Sequence, residues 1–182
     1  MSPNSTRPSE IALPAASLAA LRRALTAELG ADVAAGMLRS AGHEAGDAFF
    51  QILSADSSGD AVGQLDAAAF WRRFAQLFTT RGWGSLSHQD VHPGIAVLAA
   101  RDWAEAQSDG AAGRPSCYFT TGLLANLLGK VAGGDVSVME VECRSRGDHE
   151  CRFLFGSPEA LRSVYDLLLH GETTESAVSQ LA

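Results

Sequence analysis

Two pairs of short apolar segments, each joined by a turn too short for a helical crossover, constrain this chain more than any other feature. Residues 84–89 and 95–100 alternate or run apolar and are broken by His92-Pro93-Gly94, which reads as a hairpin. Residues 135–143 alternate again, with Val136 and Val138 on one face and Met139 and Val141 on the other. A charged turn at 144–150, containing Gly147-Asp148, leads to a returning strand at 151–155. Parallel neighbours need a crossover of a dozen or more residues. The expected sheet is therefore antiparallel, with about four strands.

Helices surround these strands. Leu18, Leu21, Leu25 and Leu29 recur at spacings of three and four and predict a helix over 17–30 with those leucines as its apolar stripe. A second helix, 31–53, carries small residues at Ala35, Gly36, Ala41, Gly42, Ala45 and Gly46, the pattern of a tight helix crossing. A polar loop at 54–63 precedes a third helix at 66–80, with Phe70, Phe74, Leu77 and Phe78 inward. A flexible loop is expected at 108–115 and a fourth helix at 117–131, stopped by Gly133-Gly134. Ser157-Pro158-Glu159 opens a fifth helix running to about His170. The fold class expected is α+β, an antiparallel sheet with helices packed on one face. Residues 1–12 read as a disordered tail, 13–171 as the folded domain and 172–182 as a short C-terminal helix or tail.

Composition excludes some function classes. At 182 residues the chain fits one domain, and 46% hydrophobic with 19% charged residues reads as globular. A net charge of −7, with 14 scattered basic residues, argues against a nucleic-acid partner. No run approaches the length of a membrane span, and the Ser- and Pro-rich start lacks a signal-peptide core. A cytoplasmic location is expected, where thiols stay reduced. The three cysteines then read as metal ligands or buried apolar residues rather than disulfide partners.

Cys143 ends one strand and Cys151 begins its partner, so a hairpin sets them side by side. Cys117 opens the fourth helix. Zinc takes thiolates in a tetrahedron and needs one more donor. Glu140, Glu142, Asp148 and His149 all lie within reach in sequence. The alternative is three inert core thiols. Strand periodicity puts Glu140 and Cys143 on opposite faces, so Glu140 joins Cys143 at one ion only if the strand bulges between them; otherwise Glu142 serves.

The stretch CYFTTGLLANLLGKVAGGDVSVMEVECRSRGDHECRFLF, residues 117–155, resembles the 4-vinyl reductase domain family. The likeness is strongest in Glu140-Val141-Glu142-Cys143, Gly147-Asp148 and Cys151-Arg152-Phe153. It extends more weakly to the helix of Arg22 and the turn Gly82-Trp83-Gly84, over most of residues 15–170. The resemblance implies a structural Zn2+ held by Cys117, Glu140, Cys143 and Cys151, and a fold like that of the trafficking-complex and nitric-oxide-sensor superfamily. It also implies a homodimer paired through helices, which the small-residue stripe at 35–46 would fit. Members that sense aromatics place a tryptophan after the second strand, and Trp103 corresponds, although Ala104 intervenes before Glu105. Those members also use a histidine toward a phenol hydroxyl. The corresponding region here, Gln76-Leu77-Phe78, has none, which points to a more apolar ligand.

Three functions are then open. The first is a sensor or carrier of a hydrophobic or aromatic small molecule, lined by Trp103, Phe74, Phe78, Trp83 and Phe119, passing its signal to a separate protein. The second is a 4-vinyl reductase-like enzyme or accessory in bacteriochlorophyll synthesis, handling a tetrapyrrole. No Gly-x-Gly-x-x-Gly turn opens a helix, since Gly129 to Gly134 ends one, so reduction by this chain alone is not expected. The third is a structural interaction subunit.

Overall fold

The computed structural model describes residues 8–55, 62–106 and 113–181. Most of the expected tail, the polar loop and the flexible loop lie outside these residues. The elements run α1 (Ala15–Leu29), α2 (Ala31–Ala55), α3 (Ala67–Thr79), β1 (Ser87–His92), β2 (Ile95–Ala100), α4 (Tyr118–Ala132), β3 (Ser137–Glu142), β4 (Cys151–Gly156), α5 (Pro158–Leu169) and α6 (Thr174–Ser179). Short 3-10 turns stand at Val62–Gln64, Ala104–Ala106 and Arg144–Arg146.

The four strands form one antiparallel sheet in the order β1-β2-β4-β3. Both hairpins pair as the turns require, although β1 lies three residues further along than the apolar pattern suggested. The fold is α+β. Alternation along the strands sorts the apolar residues into two layers. Leu98, Ala100 and Phe153 join Ile52, Leu53, Phe74, Phe78 and the α4 leucines in the main core. Val97 and Leu154 point the other way and pack with Leu161 and Val164 of α5 and Ala177 and Val178 of α6. The larger helical layer covers one face, and the two C-terminal helices add a thinner layer on the other. Strands β2 and β4 are central and apolar on both sides, which a strand can be only when both faces are covered.

Two helix faces differ from the sequence pattern. In α1 the buried residues are Ala19 and Arg22, while Leu21 and Leu29 are about half exposed. The Arg22 guanidinium turns inward to donate to the Ser116 carbonyl and hydroxyl, at 3.2 and 2.7 Å, and this sets the rotation of α1. In α2, Gly42 and Gly46 are buried against α4 within the same chain. A Cβ at Gly42 would overlap the backbone of Phe119, and one at Gly122 would overlap the backbone of Arg39. That part of the small-residue stripe serves the α2–α4 crossing rather than a second copy.

Candidate functional site

The first turn of α4 organises the site. An α-helix begins with four backbone N–H groups that lack helical partners, and Cys117, the N-cap residue, makes no side-chain cap. Two buried carboxylates take those donors instead. Glu140 accepts from the Cys117 N–H at 2.9 Å. Glu105 accepts from the Phe119 and Thr120 N–H groups at 2.9 and 2.7 Å and from the Thr120 hydroxyl at 2.5 Å.

Around the N-cap, one ligand atom each from Cys117, Glu140, Cys143 and Cys151 lie within 4.8 Å of one another. The Cys117 sulfur is 3.8 Å from that of Cys143 and 4.0 Å from that of Cys151. A disulfide needs about 2.05 Å, and all three thiols are free. Sulfurs on a tetrahedral zinc, with Zn–S about 2.3 Å, stand about 3.8 Å apart. The spacing therefore suits one shared ion. All three cysteines are fully buried. The second carboxylate oxygen of Glu140, Oε1, is buried with no hydrogen-bond partner. An orphaned buried carboxylate oxygen is costly, and a cation between it and the sulfurs would satisfy it.

A register shift in β3 makes this convergence possible. Glu140 pairs opposite Phe153 and Glu142 opposite Arg152, with the irregularity between them. One extra residue reverses the side-chain alternation, so Glu140 and Cys143 fall on the same face. Glu142 falls on the other face and pairs with Arg152 at 3.0 Å. The other two candidates lie apart from the cluster. Asp148 accepts from the Cys143 N–H at 2.7 Å and holds Arg146, and His149 is exposed. We predict that Glu140→Gln weakens zinc binding at least about 100-fold, more than the loss of an outer-sphere partner. Glu142→Gln should leave it unchanged, as read by competition with a chromogenic chelator.

The electrostatics agree with a cation site. Burial pushes the Cys117 thiol well above its usual range. Burial, then the Cys143 charge, raises Glu140 to about 9. Four acidic groups in one dry space cannot all ionise without a positive partner, and a divalent cation would reverse both shifts. Outside the cluster, the Ser145 hydroxyl lies 2.9 Å from the Cys143 sulfur and 2.6 Å from the Ser116 hydroxyl. Ser116 in turn accepts from Arg22. A positive charge is thus tied to the cluster through two hydroxyls, a link the sequence pattern did not reveal.

The aromatic residues gather on the other side of the α4 turn. Trp103 is 1% exposed and stands 5.5 Å from Phe78 and 5.8 Å from Trp83, between ring centres. Trp83 stacks on Phe119 at 5.9 Å, and Phe74 meets Phe78 at 5.3 Å. The five aromatics singled out from sequence therefore form one continuous cluster, with Phe49 and Phe153 added to it. The indole N–H of Trp103 donates to the Thr120 hydroxyl at 2.8 Å. The chain Trp103–Thr120–Glu105 ties the aromatics to the same turn that carries Cys117.

Burial raises Glu105 to about 7. A carboxyl raised from its unfolded value of 4.5 takes up a proton on folding. Its contribution is full below that value and is lost as pH rises toward 7. Wild-type stability should fall between pH 5 and 7 by up to about 2–3 kcal/mol from this group. In Glu105→Gln that slope should flatten, although the variant is less stable throughout because one acceptor oxygen is gone. Urea melts of both proteins at the two pH values measure it.

Residues 97–157 match the family model of the 4-vinyl reductase domain. No curated protein matches the sequence. Among solved structures, the chain is similar to the phenol-responsive sensory domain of the transcription activator PoxR, solved with phenol, at TM-score 0.70 and 22% identity. The alignment covers 90% of this chain and 84% of that one. It is also similar to a vinyl-4-reductase family protein from Methanocaldococcus jannaschii, at TM-score 0.51 and 18% identity, over 83% of this chain and 84% of that one. At these identities the two structures speak for a common fold. The stretch matched by the family model contains Trp103 and all four members of the buried cluster, so the part of the chain that builds the site is the part that carries the 4-vinyl reductase domain signature.

Proposed function

We propose that the chain is a binding module for a hydrophobic or aromatic small molecule, stabilised by a structural zinc ion. The observation that carries this reading is the shared α4 turn. Cys117 faces three other metal-ligating groups, and the two residues beyond Tyr118 touch the aromatic cluster. Cys117, Glu140, Cys143 and Cys151 would hold the ion and fill a tetrahedron, which leaves no open position for an activated water. The ion would serve to pin α4 against the β3–β4 hairpin.

The ligand would enter among Trp103, Phe74, Phe78, Trp83 and Phe119 by replacing ring–ring contacts. The structurally similar sensory domain, described as phenol-responsive, motivates an aromatic ligand. The Trp103 N–H is already engaged by Thr120, so an apolar ring fits better than a phenol. We expect naphthalene to perturb tryptophan fluorescence at a concentration at least about tenfold below phenol, the difference a buried unpaired hydroxyl makes. Trp83→Leu should weaken both. Equal affinity for the two compounds, or none for either, would contradict the proposal.

Helix-mediated pairing of two copies belongs to the same reading. Leu21, Leu29, Val33 and Met37 lie about half exposed on α1 and α2, the kind of apolar surface a partner covers. Native mass spectrometry counts subunits and zinc together. No described helix is long and apolar enough to cross a membrane.

A further inference from the structure

A groove of about 600 Å3 lies between α2, the start of α4, β3 and α5, away from the aromatic cluster. Its lining includes Arg39, Arg114 and Arg162, the rings of Tyr118 and Tyr165, and one acid, Glu140. Three guanidiniums from three separate segments converge there, in a chain whose net charge is −7. The one acid is turned inward, accepting from the Cys117 N–H, and so does not neutralise them. Arg114 has an exposed partner, Asp32, at 3.0 Å, and such a surface pair is weak. Arg39 lies over the Tyr118 ring, 5.9 Å from its centre. Arg162 makes no ion pair among the described residues. Tyr165 leaves half of its surface exposed beside them.

We infer that this groove is a second binding site, for a planar organic anion such as an aromatic carboxylate. The physical requirements match. Small-molecule sites have volumes of a few hundred Å3, with mainly apolar walls and a few convergent polar groups. Arginine holds carboxylates through two parallel hydrogen bonds. The two tyrosine rings and the neighbouring apolar side chains supply flat surface for an aromatic body. This site does not depend on the buried aromatics binding anything.

The test is calorimetric titration of the zinc-loaded full chain with 2-naphthoate and with its neutral counterpart, 2-naphthylmethanol. Naphthoate should bind at least about tenfold tighter, because only it gains charge-assisted bonds. Arg39→Ala and Arg162→Ala should each weaken naphthoate about five- to tenfold without lowering the melting temperature, since both side chains are exposed. Raising NaCl from about 0.05 to 0.5 M should weaken it further. Trp103→Phe should leave it unchanged. Equal binding of the two compounds, or naphthoate binding that ignores both arginine variants, would overturn the site. So would a hepta-glutamate peptide that binds with the arginine dependence while naphthoate does not bind, since the groove would then serve a protein segment.

Discussion

Cys151→Ser is expected to lower the melting temperature by about 8–16 °C and to abolish stoichiometric zinc. The reasoning starts from the sulfur spacing. Thiols 3.8–4.0 Å apart, fully buried and not bonded to each other, leave one arrangement that satisfies them together with the orphaned Glu140 oxygen. A serine hydroxyl at neutral pH is a poor replacement for a thiolate ligand. Loss of the ion leaves a buried acidic group without its counter-charge and unpins α4 from the hairpin. A cost of about 4 kcal/mol is at the upper end for a single change. In a domain of this size each kcal/mol shifts melting by about 2–4 °C. If the three thiols were inert core, the same substitution would cost only about 1 kcal/mol and zinc content would not change. Differential scanning calorimetry and native mass spectrometry on the one variant separate the two cases.

The sequence carried much of this fold, and where it fell short the reason is physical. Both hairpins were legible because a turn of a few residues leaves antiparallel pairing as the only option. The face preferences of Val136, Val138, Met139 and Val141 were legible from alternation and agree with the two cores. The bulge between Glu140 and Glu142 was not. A bulge changes the local twist and pairing but leaves little mark on composition, so periodicity alone set Glu140 against Cys143. Its signature was indirect: two groups suited to one ion stood at a spacing that a regular strand would separate. In α1 the leucine stripe misled, because Arg22 is turned inward by a partner 94 residues away, which helical spacing cannot register. The Glu105 cap was missed for the same reason. A glutamate in a short turn looks solvated until the helix whose N–H groups it receives has been placed in space. The groove arginines likewise come from three segments, and each alone reads as an ordinary surface charge.

Gly122→Ala should destabilise the protein by about 3 kcal/mol, although in an isolated helix the same change gains about 0.5–1 kcal/mol. The sign is decided by the crossing with α2. A Cβ at 122 would overlap the Arg39 carbonyl oxygen, and a Cβ at 42 would overlap that of Phe119. These obstacles are backbone atoms, so no side-chain rotation relieves them. The helices must separate, and Leu123, Leu124 and Leu127, all fully buried on α4, then lose contact across the main core. Because α4 also carries Cys117 and Thr120, the displacement should reach the metal cluster and weaken zinc affinity at a distance from any ligand. Gly36→Ala provides the control on the same helix pair. Nothing lies within 4 Å of a Cβ at that position, so the helix preference acts alone and melting should stay level or rise slightly. If Gly122→Ala raised the melting temperature as Gly36→Ala does, the close α2–α4 crossing would be refuted, and with it the rigid placement of the turn on which both the ion and the aromatics depend.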